Sequence, residues 1–456
     1  MAAFARTEAV LLQTQYFSMC RGYGPQYFYA ISAALIFVPG PIVISVVRFL
    51  DGRSSEPIGR RAFKKVLVAN LSTAVALLWL ILEIVLFDER AESLKLAYLY
   101  MPVIGIGATL HFQAVSQALA SLPTVYTSVF LVGCYCPFVV YVPINAVGHL
   151  CSARVIVEDE APTPCASTNS TSPSGNAAVQ DSCVTWEPEW QAIWAFFATA
   201  ILLCLQSIGA MRAVCAHPIA RRCMATADAE ARARPSSSGS GGAGSGSYRP
   251  NSKDSGDSKE AAALLSETDN SVNVGKAPPS REGRFGIALP QVYSTAVVTI
   301  ASLLVTSQYG MVPVQGHFMY LTTYLLYEFY ICSCFGAMLA TIWPLGDVAS
   351  VVISTLRVAV VPLTFSYEAM HGIPALNVPR SNIMALAVNF VFILTGAWVF
   401  ASTFAVLKTK LEHRPEDKEW ALNLNNGVYF AAMVVALGIS IGIGFLVWGP
   451  DGQGPG

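Results

Sequence analysis

Charged residues are scarce in this chain. Only 12% of its 456 residues are Asp, Glu, Lys or Arg, against about 25% in ordinary soluble domains. With 54% hydrophobic residues and a mean hydropathy of +0.50, the composition excludes a string of soluble domains and predicts a polytopic membrane protein. The formal net charge of −1 gives no electrostatic attraction toward nucleic acid, so no nucleic-acid partner is expected.

Motifs of catalysis and of cofactor binding are absent as well. The eleven cysteines form no CxxC pair, and the chain contains no HExxH and no GxxxxGKS/T sequence. We therefore expect no enzyme activity, no cofactor and no metal site. His111 and His149 lie in or near apolar segments without acidic neighbours, and each is interpreted as a packed or interfacial histidine. A membrane enzyme, or a receptor or scaffold that transports nothing, stays open as an alternative.

Long apolar runs dominate the chain. Each of ten segments holds about 20 or more mostly apolar residues, enough for a helix to cross a bilayer. These predicted spans are 27–49, 65–87, 97–119, 122–148, 190–212, 287–307, 317–343, 348–367, 383–407 and 427–448. Residues 9–17 have a helical pattern but are too short to span, so residues 1–26 are interpreted as the remnant of a first helix and an external segment.

A long polar loop separates two bundles of predicted helices. The N-terminal bundle covers 27–212 and the C-terminal bundle 287–456, which gives an all-α polytopic membrane protein as the expected fold class. The loop 213–286 includes a stretch rich in Ser and Gly, 235–247, which predicts disorder. Serines in such a loop are candidate sites for a kinase.

Lys and Arg are concentrated in alternate connections. The connections 49–65 and 408–426 are basic, as is the start of the loop 213–286, whereas the intervening connections carry fewer cations. Because basic connections stay in the cytosol, these three are predicted to be cytosolic and the C-terminus to be extracellular. The loop 150–189 is then external, and its sequon at Asn169 is a predicted glycosylation site.

The apolar region 97–148 contains an unexpected polar stripe. Gln113 is preceded at i−4 by Thr109 and followed at i+3 and i+4 by Ser116 and Gln117, which places all four on one face of a helix. An unpaired polar group in hydrocarbon costs several kcal/mol, so the stripe is predicted to lie inside the helical bundle. Two interpretations stay open, namely hydrogen bonds between packed helices and a face that lines a solute path.

The predicted span 317–343 carries the other polar signal. Tyr320, Tyr324 and Tyr327 follow helical spacing and form one aromatic stripe. Glu328 is the one acidic residue deep within any predicted span. A buried acid is either functional or part of a structural pair with a cation, and the sequence leaves both open.

Several short motifs resemble the equilibrative nucleoside transporter family. The fourth and fifth helices of that family are matched by Gln113, Ser116, Ala118-Leu119-Ala120-Ser121, Pro123, Tyr126-Thr127 and Gly133. Later helices of the family are matched by Trp343-Pro344, by Arg357 with Pro362-Leu363, and by the glycine-rich stretch 438–444, for which a packing role is predicted. The resemblance runs from Tyr16 to Trp448 outside the loops.

The resemblance implies facilitative transport of nucleosides or nucleobases, above all purines, across the plasma membrane. Two major-facilitator-like helix bundles are expected to give alternating access to a central site, with the solute and the lipid bilayer as partners. The implied solute contacts are Gln113, Ser116, Gln117, Tyr324, Tyr327 and Glu328. The implied structural or gating residues are Pro123, Tyr126, Gly133, Arg357 and Pro362.

The chain departs from the family in its charged residues. Family members carry an Asp and, four residues on, an Arg just before the Trp-Pro, whereas residues 329–336 of this chain are uncharged. We predict that Glu328 takes the place of the acid and pairs with Arg357, which lies roughly 15 Å into the following helix. The alternative is that Glu328 carries a proton, which would make transport proton-coupled.

Overall fold

Helices form the framework of the protein. The computed structural model describes residues 7, 9–11, 28–86, 97–147, 153–157, 184–188, 190–233, 284–307, 321–369, 372–373, 378–379, 382–411 and 415–448. The first half of the chain forms α1 (Phe28–Phe37), α2 (Pro39–Arg53), α3 (Ile58–Leu86), α4 (Ala97–Ala120), α5 (Thr124–Tyr135), α6 (Phe138–Val147), α7 (Trp190–Ala216) and α8 (Pro218–Ala233). The second half forms α9 (Arg284–Thr306), α10 (Leu321–Ile342), α11 (Asp347–Ala369), α12 (Asn382–Lys410) and α13 (Pro415–Trp448). Two antiparallel pairs of strands add β1 (Ala153–Val157) with β2 (Val184–Pro188) and β3 (Gly372–Ile373) with β4 (Val378–Pro379).

Eight of the described helical segments are long and apolar enough to cross a membrane, which confirms a mainly helical, multi-pass membrane protein. The ten predicted spans differ from these eight in two regions. The span predicted at 122–148 is divided into α5 and α6, because Pro137 at the division lacks an N–H and clashes with the carbonyl four residues earlier. The span predicted at 348–367 is present as the 23-residue helix α11 but is not among the eight.

Several helices extend past the boundaries predicted for them. α3 begins at Ile58 rather than at 65, α12 continues to Lys410, and α13 begins at Pro415 rather than at 427. The predicted boundaries fall where cations or amides begin, but a helix continues as long as those side chains reach water or a partner. The basic connection predicted before the last helix is therefore only a few residues long.

The helices pack as two halves, α1–α8 and α9–α13. In the first half, α4 packs along α3 and against α1 and α2, and α7 also packs against α3. In the second half, α10 packs along α12, and α9 contacts α11, α12 and α13. The halves meet where α13 contacts α1, α2 and α4, and where α5 contacts α10 and α12. The interface between the halves is therefore built from α1, α2, α4 and α5 of the first half and from α10, α12 and α13 of the second.

A glycine brings two helices of the first half into close contact. A Cβ built on Gly105 of α4 would lie 1.8 Å from the carbonyl oxygen of Ile36 in α1, so no larger residue fits there. Ala9, Val10 and Leu11 are helical and buried in the hydrophobic core that also contains Ile36. The described part of the segment predicted as the remnant of a first helix, residues 9–11, thus packs into this core.

Some predicted features lie outside the described residues. These are His149, Asn169, Tyr320 and the stretch 235–247. The two described ends of the loop 150–189 pair as β1 and β2, with Val155 opposite Trp186. The predicted loop that follows the first half begins with the ordered helix α8.

Candidate functional site

The two halves share a hydrogen bond between amide side chains. Gln113 of α4 is buried, with 1% of its surface exposed, and its Nε2 donates to Oδ1 of Asn423 in α13 at 3.0 Å. One helical turn further along each helix, Ser116 of α4 and Asn426 of α13 line the same small cavity. The face of α4 that carries Gln113 and Ser116 therefore meets a face of α13 that carries asparagines.

Several buried amide atoms at this interface have no hydrogen-bond partner among the described residues. They are Oε1 of Gln113 and both Oδ1 and Nδ2 of Asn426. The Oδ1 of Asn425 also lacks a described partner, but its Nδ2 donates to Oγ1 of Thr403 in α12, at 3.4 Å, so this amide lies within the second half. Leaving a buried polar group unsatisfied costs about 1–3 kcal/mol, so a solute that supplies partners to these atoms recovers that cost.

Aromatic rings surround the amide groups. The ring centroid of Phe112 lies 5.4 Å from that of Phe130 and 6.3 Å from that of Tyr429. Phe400 extends this aromatic layer, with its ring 4.8 Å from Tyr429 and 5.2 Å from Phe404. Rings at such separations stabilise one another, and their flat faces suit the stacking of a planar solute. Both halves contribute to the layer, so it belongs to the interface.

The two described cavities at the interface are small. A cavity of about 10 Å³ beside Phe404 touches Ser116 and Asn426, and it holds about one water molecule. A second cavity, of about 60 Å³, lies beside Phe400 and Ser333. Pockets for small organic ligands typically measure about 300–1,000 Å³. The halves must therefore separate before the interface admits such a ligand.

A buried lysine of the second half binds the first half at one end of the interface. Lys408, in the last turn of α12, is 1% exposed, and its Nζ donates to the carbonyl oxygens of Leu119 at 2.9 Å and Pro123 at 3.1 Å. It also donates to Oγ1 of Thr127 at 2.8 Å. Leu119 lies in the last turn of α4, where the unsatisfied carbonyl groups of a helix attract a cation. A cation of the second half thus binds the junction between α4 and α5 of the first half.

The polar stripe predicted on α4 faces in two directions. Gln113 and Ser116 reach the interface between the halves. Gln117 instead accepts a hydrogen bond from Nζ of Lys65 in α3, at 2.9 Å, which stays within the first half. Gln117 is therefore a packing contact in this structure, although the resemblance implied contact with the solute.

The predicted solute contacts on α10 lie within the second half. Tyr327 is buried in the core, and neither Tyr324 nor Tyr327 lines either of the two interface cavities. Glu328 accepts a hydrogen bond at its Oε2 from Nδ2 of Asn389 in α12, at 2.7 Å. The structure thus brings Glu328 to an amide of the neighbouring helix rather than to the aromatic layer.

Arg357 has partners other than the predicted Glu328. Its Nη1 donates to the main-chain oxygen of Phe392 and to Oγ1 of Thr395, the latter at 2.9 Å. Its Nη2 donates to Oγ of Ser302 at 2.8 Å, and the guanidinium carbon lies 3.8 Å from the centre of the Phe392 ring. Neutral oxygens and an aromatic face contact the two terminal nitrogens of this buried cation, and the carboxylate that the sequence analysis assigned to it is not among its described partners. Arg357 joins α9, α11 and α12.

The other predicted structural or gating residues occupy helix ends and helix interiors. Pro123 is the N-cap of α5 and offers its carbonyl oxygen to Lys408. Tyr126 is exposed in the first turn of α5, and Gly133 lies near the end of that helix. Pro362 lies within α11. Among these residues, only Pro123 contacts the other half through a described hydrogen bond.

Two subsidiary predictions have opposite outcomes. His111 is buried, and its Nδ1 lies 3.1 Å from Oδ1 of Asn70, as expected for a packed histidine. The packing role predicted for the glycines of the last helix is not seen, because no described atom lies within 4 Å of a Cβ built on Gly438 or Gly442. That part of the glycine-rich face points away from the other described helices.

The sequence analysis did not single out the asparagines of α13 or Lys408. Asn423, Asn425 and Asn426 fall in the segment predicted as a basic connection, where Lys408 counts as a cytosolic charge. A signal does exist, since three asparagines within four residues precede an apolar run. Asparagine is a poor helix former and is costly in a membrane unless it has partners, so such a cluster indicates a polar site.

No family model matches the sequence, and no curated protein matches it. The function therefore rests on the residues of the chain and on the geometry of the interface.

Proposed function

We propose that the chain is a facilitative transporter of nucleosides and nucleobases, with purines as the preferred class. The observation that carries this proposal is the pair of buried amides at Gln113 and Asn426, which have atoms without partners among the described residues, together with the rings of Phe112, Phe130 and Phe404 that line the same cavity as Asn426. A nucleobase has hydrogen-bonding groups on its edge and a flat face for stacking, so it suits both parts of the site. The motifs of α4 and α5 that resemble nucleoside transporters point the same way.

Amide side chains suit purines in particular. Asn and Gln make bidentate pairs with the N6 amino group and the N7 atom of adenine. Asn426 has both a donor and an acceptor without a described partner, and Gln113 has an acceptor. Stacking of a base on an aromatic ring contributes about 1–3 kcal/mol. We assign the stacking to Phe112, the neighbour of Gln113, and to Tyr429, one turn beyond Asn426.

Alternating access requires two helical bodies that rock about a central site. Two sets of contacts would have to break in such a motion, namely the amide bond from Gln113 to Asn423 and the bonds from Lys408 to the α4–α5 junction. We infer that Lys408 closes the cytosolic entrance. The structure then corresponds to a state that is closed on the cytosolic side.

The basic residues support an orientation for this transporter. Lys and Arg cluster at the start of α3, the end of α7 and the end of α12. By the positive-inside rule these ends face the cytosol, so the loop 213–286 is cytosolic and the C-terminus is extracellular. We place the protein in the plasma membrane.

Proton-coupled transport of the same solutes is a second candidate function. It is favoured by one observation, that the described hydrogen-bond partner of Glu328 is the uncharged amide of Asn389. An acid held in a membrane span by a neutral group is a candidate carrier of a proton. If Glu328 carries one, Glu328→Gln removes the dependence of uptake on pH, whereas facilitative transport keeps the same pH profile in that variant.

Uptake by cells that lack their own purine transport tests the proposal. Cells expressing the chain should take up labelled adenosine and hypoxanthine with saturation, and uptake should persist with a protonophore present. The double variant Gln113→Ala/Asn426→Ala, assayed at equal surface expression, should lose most of this uptake. Uptake no greater than in cells without the chain, for every purine and pyrimidine tried, would favour a membrane protein without transport activity.

A further inference from the structure

A large cavity lies between α8 and the adjoining ends of α3 and α7. Its volume is about 820 Å³, within the range of pockets that bind organic ligands. Three arginines line it, one from each helix: Arg60 of α3, Arg212 of α7 and Arg221 of α8. The apolar side chains of Phe63 and Met224 form part of the same wall. The cavity thus combines a cationic region with an apolar one.

The charges of the three arginines are only partly offset by acids of the described chain, where the hydrogen bond from Lys64 and then the Arg60 charge contribute to lowering the pKa of the Glu56 carboxyl. None of them forms a salt bridge with a described residue. Asp228, the acid in the lining, has another role, because both of its carboxylate oxygens accept the N–H of Ile58, at 3.1 and 3.2 Å. This N–H begins α3, where the helix dipole favours an anion. The cavity is therefore positively charged and suited to an anionic ligand.

The cavity lies at the depth of lipid headgroups. Arg60 is near the start of the apolar segment that begins at Ile58, and Arg212 is near the end of the one that finishes at Ala216. At 1.5 Å per residue, each arginine lies within roughly 6 Å of the end of its membrane-spanning segment. Both ends belong to the same side of the bundle, where α3 and α7 pack together.

The helix α8 has the pattern of a helix that lies along a membrane surface. It follows α7 directly, with its Ala220 and Met224 buried and its Arg221 and Arg222 exposed. A short helix with an apolar face and a basic face binds at the boundary between headgroups and acyl chains, and it is attracted to anionic lipids. Asp228 anchors this helix to the start of α3.

We propose that the cavity binds the headgroup of an acidic phospholipid. Arg60, Arg212 and Arg221 hold the phosphate oxygens, since the planar guanidinium group matches phosphate with paired N–H donors. Phe63 and Met224 receive the first part of an acyl chain. A lipid is favoured over a soluble phosphate compound because the cations and the apolar wall meet at headgroup depth, where basic pockets between membrane helices bind anionic lipids.

Native mass spectrometry of the full chain, purified in detergent, tests the proposal. The probes are short-chain phosphatidylserine and phosphatidylinositol bisphosphate, with phosphatidylcholine as the neutral lipid. The chain should retain one copy of an acidic lipid more tightly than phosphatidylcholine. Arg212→Gln/Arg221→Gln should weaken acidic-lipid binding roughly 30-fold, on the basis of about 1 kcal/mol for each arginine near the membrane surface.

Matched variants distinguish lipid binding in this cavity from a general electrostatic attraction between the lipid and the protein. Arg222→Gln, a neighbour of Arg221 that does not line the cavity, should leave lipid binding within about twofold. Ala225→Phe fills the cavity from an exposed position and keeps every arginine, so it should reduce lipid binding without lowering the melting temperature. Thr226→Phe, at the next exposed position outside the lining, should have no effect on binding.

Three results would overturn the proposal. Equal loss of binding in Arg222→Gln and in the double variant would show that the attraction is diffuse. Unchanged binding in Ala225→Phe would place the lipid elsewhere on the protein. Inositol trisphosphate or inorganic phosphate that competes as well as the lipid would identify the ligand as a soluble anion. The measurement does not involve transport, so its result does not depend on whether the proposed transport function is correct.

Discussion

The Sγ atoms of Cys136 and Cys334 lie 3.6 Å apart across the interface between the two halves. Cys136 directly follows α5, and Cys334 lies within α10. Both are free cysteines. Because a disulfide bond is about 2.05 Å long, an approach of roughly 1.5 Å would join the halves covalently. The native cysteines therefore provide a direct test of whether the halves move apart during transport.

Oxidation of this pair should stop transport. Copper phenanthroline, which enters the bilayer, should form the Cys136–Cys334 disulfide, because the thiols are already neighbours. Uptake should then fall several-fold, since the halves cannot separate, and dithiothreitol should restore it. A protease site inserted near Ser240 allows the bond to be detected, because the cleaved halves should remain joined on a non-reducing gel.

The neighbouring cysteines provide the control for this cross-link. Cys136→Ser should make uptake insensitive to the oxidant, whereas Cys332→Ser, two residues from Cys334 on the same helix, should leave the sensitivity intact. Full uptake by protein whose halves are shown to be cross-linked would contradict a rocking motion at this part of the interface.

The sequence predicted the class of the protein better than it predicted the site. Apolar runs identify membrane helices because every such helix must meet hydrocarbon, and that requirement is local. Partners of polar side chains depend on which helices pack together, which is not local. Gln113 and Gln117 have the same residue type and lie one turn apart, yet Gln113 meets Asn423 of the other half and Gln117 meets Lys65 of its own.

The charged residues illustrate the same limit. A cation next to a membrane span is usually interpreted as part of an exposed cytosolic connection. Lys408 is instead buried against carbonyl oxygens of another helix pair. An acid and a cation on consecutive helices suggest an ion pair. In the structure Glu328 instead accepts a hydrogen bond from the amide of Asn389, and Arg357 donates to oxygens of α9 and α12. Neutral partners of this kind leave no charge pattern in the sequence.

Removing the ammonium group of Lys408 should open the end of the interface that we propose to be cytosolic. Lys408→Met keeps the length of the side chain but loses the bonds to Leu119, Pro123 and Thr127. Hydrogen bonds to a charged group contribute about 1.5–3 kcal/mol each, so the equilibrium should shift toward the open state by tenfold or more. Labelling of a cysteine placed at Ser121, by an impermeant maleimide in inside-out vesicles, should be correspondingly faster.

Lys410 is the matched control for Lys408. It lies two residues further along and pairs with Asp347 of α11, so its bond stays within the second half. Lys410→Met should leave the labelling rate at residue 121 unchanged. Equal rates in the parent protein and in Lys408→Met would show that Lys408 stabilises the fold without controlling the entrance.

A glycine makes room for the guanidinium group of Arg357. A Cβ built on Gly396 would lie 2.6 Å from Nη2 of Arg357, so Gly396→Ala forces this hydrogen-bonded group to move. We expect a loss of about 1–3 kcal/mol of stability, measured as a lower melting temperature in detergent. Arg357→Gln should also lower the melting temperature, because this substitution leaves acceptors on α9 and α12 without a donor.

Two comparisons identify Arg357 as the cause. Gly438→Ala adds the same methyl group where no described atom lies within 4 Å, so its melting temperature should not fall. In the background of Arg357→Gln, Gly396→Ala should cost much less than in the parent protein, because the clashing group is gone. Strictly additive losses would mean that Gly396 is required for a different reason.

The proposed orientation predicts which loops antibodies can reach. An epitope inserted near Ser240 should be labelled in permeabilised cells only, because the basic connections place this loop in the cytosol. An epitope at the C-terminus should be labelled in intact cells. Labelling near Ser240 without permeabilisation would reverse the orientation and place the Lys408 contacts at the extracellular entrance.

Gln113 should contribute directly to solute affinity. Its Oε1 is buried and lacks a partner among the described residues, so we expect it to accept a hydrogen bond from the solute. Gln113→Ala removes that acceptor and should raise the apparent KM for adenosine several-fold to about tenfold, in line with about 0.5–1.5 kcal/mol for one hydrogen bond. Uptake should be measured at matched surface expression over a range of adenosine concentrations.

Gln117 provides an internal standard for this effect. It has the same side chain one helical turn away, but it binds Lys65 within the first half, so Gln117→Ala should leave the KM close to that of the parent protein. Asn423→Ala should raise the KM less than Gln113→Ala does. It removes the partner of the Gln113 amide nitrogen but leaves the acceptor Oε1 in place. If Gln113→Ala and Gln117→Ala change the KM equally, both glutamines act through helix packing. A change confined to Gln113 places the solute between α4 and α13, where the unsatisfied amide of Asn426 lies.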